Sequence, residues 1–148
     1  MKPWIWLRVA AILDGLFTAG HTFGHFAHAP GSPEEKALFD SMRNFRFEIM
    51  GSVHSLWDYY EGFSLFVSLS MLILTLVLWF LAGVARSAPS PARPLAWTLF
   101  VGHISIAALC WKAFFLAPQA LSTLAALALL VAVVGFRAAP YDTPVTNS

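Results

Sequence analysis

Charge is scarce in this chain. Only 11% of its 148 residues are Asp, Glu, Lys or Arg, against about 25% in ordinary soluble domains. The formal net charge is +1, which leaves out the dense Lys/Arg surface that nucleic-acid phosphates demand. Cysteine is nearly missing as well. The single Cys110 lies inside an apolar run, cannot form an intramolecular disulfide, and says nothing about redox compartment. No internal repeat of useful strength is present. What abounds is apolar: 58% of the residues are hydrophobic and the mean hydropathy is +0.67. A soluble globule of this length would have to expose much of that surface. The bilayer is the natural solvent, and the length allows one domain.

Four apolar runs stand out, at about Trp4 to Phe26, Phe63 to Val84, Leu95 to Leu116 and Leu121 to Phe136. A helix needs roughly 20 such residues to cross the hydrocarbon. The second helix is expected to start ahead of its apolar run, near residues 52–53, and the fourth to use Pro118 and Gln119 as its start, since proline fits a first helical turn. The spans are therefore placed at about 4–26, 53–84, 95–116 and 119–136, within a single domain 1–138. The expected fold is all-α, a four-transmembrane-helix antiparallel bundle. Its third and fourth helices form a hairpin with almost no loop. The stretch Arg86 to Pro94, rich in proline and serine, reads as an extended connector, and residues 139–148 read as a disordered C-terminal tail.

The connector after the first span carries its own helix signal. Ser32-Pro33-Glu34-Glu35 is a capping box with proline at the first helical position. Leu38, Met42, Phe45 and Ile49 then recur at helical spacing, opposed by Lys36, Asp40, Arg43 and Arg46. That pattern predicts a short amphipathic surface helix from Pro33 to about Glu48, on the membrane or over the bundle as a lid.

With both termini cytoplasmic, Lys2, Arg8, Arg86, Arg93 and Arg137 fall inside and Lys36, Arg43, Arg46 and Lys112 outside. The excess is slight, and it sets the expected orientation. Ala27-His28-Ala29 imitates a signal-peptidase site. The preceding apolar stretch is too long for a signal peptide and is broken by Asp14, His21 and His25, so retention is expected.

The polar residues inside these spans are ordered. Asp14, Thr18, His21, His25 and His28 follow one another by 4, 3, 4 and 3 residues, which puts them on one helical face. His54, Asp58 and Glu61 repeat the 4, 3 spacing, and Ser68 continues that face. Asp14 lies mid-way along the first span and His103 mid-way along the third, where an isolated charge costs at least about 2.5 kcal/mol. A buried Asp14–His103 hydrogen bond is the expected remedy.

Each feature has a structural reading beside a functional one. His28 and His54 can be solvated at the interface. Gly20 and Gly24, beside His21 and His25, can serve close helix approach. Asp14 and His103 can be a packing clasp. Trp4, Trp6, Trp57, Tyr59 and Tyr60 can form the aromatic belts, and Arg8 and Lys112 can snorkel to the headgroups.

The functional readings start from one pocket in the outer half, lined by His21, His25, Asp58 and Glu61 and covered by the surface helix. The two faces would approach to within about 7 Å, the span of a bridging ion or water. These four residues would bind a lipophilic small molecule, or mark an accessory subunit that recognises a partner. Alternatively they would hold zinc or iron, although no Glu-x-x-His pair of the di-iron type is present. A membrane enzyme working by acid–base chemistry would draw on His54, Asp58, Tyr60 and Glu61 as catalytic groups. Haem held between His21 and His54 is the least supported alternative, because no attachment motif is present.

Gly20-His21-Thr22-Phe23-Gly24 and the stretch Gly51-Ser52-Val53-His54-Ser55-Leu56-Trp57-Asp58-Tyr59-Tyr60-Glu61-Gly62-Phe63 resemble small four-helix bacterial integral membrane proteins. The resemblance covers the first two helices and their connector. It implies a multi-pass protein of the bacterial inner membrane and carries no activity, substrate or partner protein with it. In size and span count alone the chain is also similar to small four-helix membrane oxygenases and isomerases, with no catalytic motif in common.

Overall fold

A computed structural model describes residues 2–137; the tail 139–148 lies outside the described residues. In chain order the elements are α1 (Pro3–Ala27), α2 (Pro33–Asn44), strands β1 (Arg46–Ile49) and β2 (Ser52–Ser55), α3 (Leu56–Ser87), α4 (Pro89–Ala113) and α5 (Leu116–Arg137). The class is all-α, with one small antiparallel hairpin among the described residues. Three helices, α3, α4 and α5, are long and apolar enough to cross a membrane. α1 falls outside that set although it has 25 residues, because Arg8, Asp14, His21 and His25 dilute its apolar character.

The chain divides into two compact units, Met1–Phe17 with Leu74–Ser148, and Thr18–Ile73. In the first, Leu7, Leu78, Leu129 and Val133 form the fully buried centre, set among alanines from four helices, including Ala10, Ala82, Ala96 and Ala132. Lipid offers no hydrophobic drive for helix association, so small side chains that let backbones approach do that work. α4 and α5 are joined through Phe114 and Phe115 alone. Their packing is fastened by Trp111 Nε1 donating to Thr123 Oγ1 at 3.0 Å and by Gln119 Nε2 donating to the Phe114 carbonyl at 2.6 Å. Arg8 stacks on Trp79, with its guanidinium carbon 4.6 Å from the ring centroid, and Arg86 on Trp4 at 5.3 Å.

The connector from Arg86 to Pro94 is not extended. α3 runs on to Ser87 and α4 begins at Pro89, leaving only Ala88 between them. The reason is positional: Pro89 and Pro91 occupy the first turn of α4, where backbone N–H groups have no helical acceptor and proline's missing donor costs nothing. Pro94 lies inside the helix and forfeits one backbone bond.

In the second unit, Ser32 caps α2 as its sequence foretells, accepting from the Glu35 N–H at 3.1 Å. α2 then stops at Asn44 rather than near Glu48. Arg46 to Ser55 turns back on itself in a hairpin, with Phe47 opposite His54 and Ile49 opposite Ser52. The two-residue turn has Met50 at φ 52° and Gly51 at φ 82°, the doubly left-handed turn that matches strand twist. α3 accordingly starts at Leu56, not near residue 53, and His54 lies on β2 rather than on a helix.

Candidate functional site

The start of α3 is fixed by a second, reciprocal cap. Asp58 N–H donates to Ser55 Oγ at 3.1 Å, and Ser55 N–H donates to Asp58 Oδ2 at 2.7 Å. This is a capping box with aspartate in the acidic position. The cap holds the Asp58 carboxylate against the end of β2, beside His54.

Two aromatic strips leave this end of α3. Toward α2, Trp57 packs on Phe39 at 5.1 Å and on Tyr60 at 5.3 Å, with the Arg43 guanidinium 4.0 Å above the Trp57 ring. Toward the hairpin, Tyr59 packs on Phe47 at 5.1 Å, on the edge of His54 at 5.9 Å and on Phe63 at 6.3 Å. Between the second strip and the helix surface lies an open groove of about 380 Å³, lined by His54, Asp58, Tyr59, Gly62, Phe63 and Phe66. Gly62 leaves its floor empty, since a Cβ placed there would meet nothing within 4 Å.

His28, Gly31 and Glu35 form a separate polar knot. Glu35 Oε1 is 2.9 Å from His28 Nε2, and Glu35 Oε2 accepts from the Gly31 N–H at 2.6 Å. The Gly31 amide foremost, and then His28, hold the Glu35 carboxyl below the usual glutamate value. Along α2, Lys36 bonds Asp40 at 2.6 Å, and it is the main reason the Asp40 carboxyl also titrates low.

Of the four residues expected in one pocket, His21 and Asp58 are engaged by other partners. His21 Nδ1 lies 3.0 Å from Ser68 Oγ, and Thr22 Oγ1 donates to the same hydroxyl at 3.0 Å. Ser68 is ten residues beyond Asp58, about 15 Å along a helix rising 1.5 Å per residue. Where α1 and α3 meet in this unit, their register therefore places His21 well past Asp58. His25 packs its ring against Phe26 at 4.9 Å, and Glu61 is exposed. Among the described residues no three His, Cys, Asp or Glu side chains gather as a metal site. His21 is paired with Ser68, and His54 packs on Tyr59. Of the catalytic candidates, His54 and Asp58 line the groove, while Tyr60 and Glu61 do not. Sequence reasoning passed over Tyr59, Gly62, Phe63 and Phe66 as groove residues; an aromatic pair at i, i+3 beside a glycine was the available signal.

In the other unit, His103 Nε2 stands 2.8 Å from Asp14 Oδ2, and its Nδ1 stands 2.7 Å from the Leu99 carbonyl. Both side chains are almost fully buried. No family model, curated protein or solved structure matches the chain.

Proposed function

We propose that the chain is a four-span protein of the bacterial inner membrane, with both termini cytoplasmic, that binds a lipophilic small molecule in the groove at the head of α3. The observation that carries this reading is the groove itself. It brings the apolar rings of Phe63 and Phe66 together with the polar side chains of His54, Asp58 and Tyr59, the combination that holds a ligand's body while orienting its head. Phe63 and Phe66 are each 65% exposed, so a ligand's tail can continue from the groove along α3 into lipid.

The fourth span is α1. Its 25 residues would extend about 37 Å, enough for the hydrocarbon. Two of the polar groups that lower its hydropathy are partnered inside the protein, Asp14 by His103 and His21 by Ser68, which reduces the penalty for placing those two at membrane depth.

The test is saturable binding of single-chain amphiphiles with neutral, cationic and anionic heads to the purified protein. Gly62→Ala should bind as the native chain does, and Gly62→Phe, which fills the floor, should lose at least one of these amphiphiles by tenfold or more. If Gly62→Phe binds every amphiphile as Gly62→Ala does, the groove is not a binding site.

A further inference from the structure

The lining residues of the groove also define the charge of what it takes. We propose that its ligand is a lipophilic quaternary ammonium ion, an N-methylated cation on an alkyl chain; this rests on the groove being a small-molecule site.

Among the six lining residues Asp58 is the only Asp, Glu, Lys or Arg. An anionic head, whether phosphate, sulfate or carboxylate, would meet a carboxylate there with no lysine or arginine on the lining to offset it. Asp58 stands in none of the ion pairs within 4 Å among the described residues. Its Oδ2 is engaged by the Ser55 N–H, which fixes the carboxylate in place. The helix cap therefore positions the negative charge without a direct ion pair, while His54 and Arg46 act on it through space.

The rest of the lining suits a cation that makes no hydrogen bonds. Tyr59, Phe63 and Phe66 bring three aromatic rings to one groove, with Tyr59 and Phe63 inclined at 45° and 6.3 Å apart. Ring faces carry negative potential and attract N-methylated cations, and aromatic rings combined with a carboxylate are the usual recognition set for them. A primary ammonium would bring three N–H donors, which the lining side chains could meet only with His54, Asp58 and Tyr59. A quaternary head has no N–H to leave unsatisfied. At about 380 Å³ the groove is at the small end for ligand sites, room for such a head and the first carbons of its chain.

The experiment uses the full chain in maltoside micelles free of choline lipids, which would themselves compete. Radiolabelled dodecyltrimethylammonium is displaced by its unlabelled form or by the uncharged isostere, with carbon in place of nitrogen. The ammonium should displace the label, and the isostere should be weaker by at least about tenfold, the scale of one good charged contact. Asp58→Asn, whose amide oxygen can still accept from Ser55, should weaken binding to a similar degree, and Tyr59→Leu and Phe63→Leu should each weaken it severalfold. Equal competition by the uncharged isostere, measured on the native chain and so independent of any variant's folding, overturns the ammonium assignment while leaving the groove as a site. Binding that Gly62→Phe fails to reduce overturns both.

Discussion

His103 and Asp14, 89 residues apart in the chain, share a 2.8 Å contact in the buried interior of their unit. The proton count follows from the partners. The Leu99 carbonyl, 2.7 Å from His103 Nδ1, can only accept, so Nδ1 carries a hydrogen. One further proton lies between Nε2 and Oδ2, on either atom, and in both cases the pair is neutral as a whole. A neutral, fully bonded pair is the form that an apolar interior tolerates.

Removing one member breaks that balance. Asp14→Leu is expected to destabilise the protein by roughly 1–3 kcal/mol, because it leaves the imidazole buried with a polar atom unpaired. The double variant Asp14→Leu/His103→Leu should cost less than either single change. Reversible unfolding in mixed micelles measures all three; a double variant as costly as the sum of the singles would show that the two residues act independently.

The His28–Gly31–Glu35 knot gives a pH dependence with a definite sign. Glu35 titrates below its ordinary value of 4.5, chiefly because its carboxylate accepts from Gly31 and then because of His28. A depressed carboxyl contributes stability above the unfolded value and loses it as pH falls through the folded one. Amide exchange at Gly31 should therefore be protected at neutral pH and lose that protection below pH 4.5. Glu35→Gln should flatten the profile, and an unchanged profile in that variant would exclude the knot as its cause.

The hairpin turn predicts opposite outcomes at neighbouring positions. Met50 and Gly51 both have positive φ. A β-branched side chain at Gly51 should be strained by about 1–2 kcal/mol, whereas Met50→Asn should be neutral or stabilising, since asparagine tolerates that region and favours this turn. Limited trypsin cleavage at Arg46 reports hairpin opening and should rise only in Gly51→Val.

The same hairpin shows where sequence patterns mislead. Leu38, Met42, Phe45 and Ile49 fit a helical period, and the fit hid the alternation of Arg46-Phe47-Glu48-Ile49 and the glycine that follows it. Once β2 claims His54, its 4-residue spacing to Asp58 has no helical meaning. By contrast, the apolar runs of α3, α4 and α5 and the Ser32 cap were plain in the residues, because length, hydropathy and capping chemistry are local. The face from Asp14 to His25 was equally plain, although α1 ends at Ala27 and leaves His28 off it, but its partners were not. Spacing tells which residues share a side of α1, whereas helix register decided that His21 meets Ser68 while Asp58 turns to Ser55.

Topology supplies a further expectation. On the proposed topology, with α1 as a span, both termini are expected on the cytoplasmic side and α2 on the other. In a Cys110→Ala background, a cysteine at Ser32 should react with an impermeant thiol reagent from outside and a cysteine at Ser148 should not. Reaction of Lys2→Cys and Ser32→Cys from the same side would remove α1 from the membrane-spanning set.

The central claim is that the head of α3 holds a lipophilic ligand, and the most direct measurement is the site of covalent capture. An alkyl amphiphile bearing a diazirine next to its head group is photoactivated on the purified protein and its adducts are mapped by mass spectrometry. The account predicts adducts concentrated between His54 and Phe66 that disappear in Gly62→Phe. Adducts spread over the exposed Leu69, Leu72 and Leu76 and unchanged by that substitution would contradict it, since they would report general contact with lipid rather than a site.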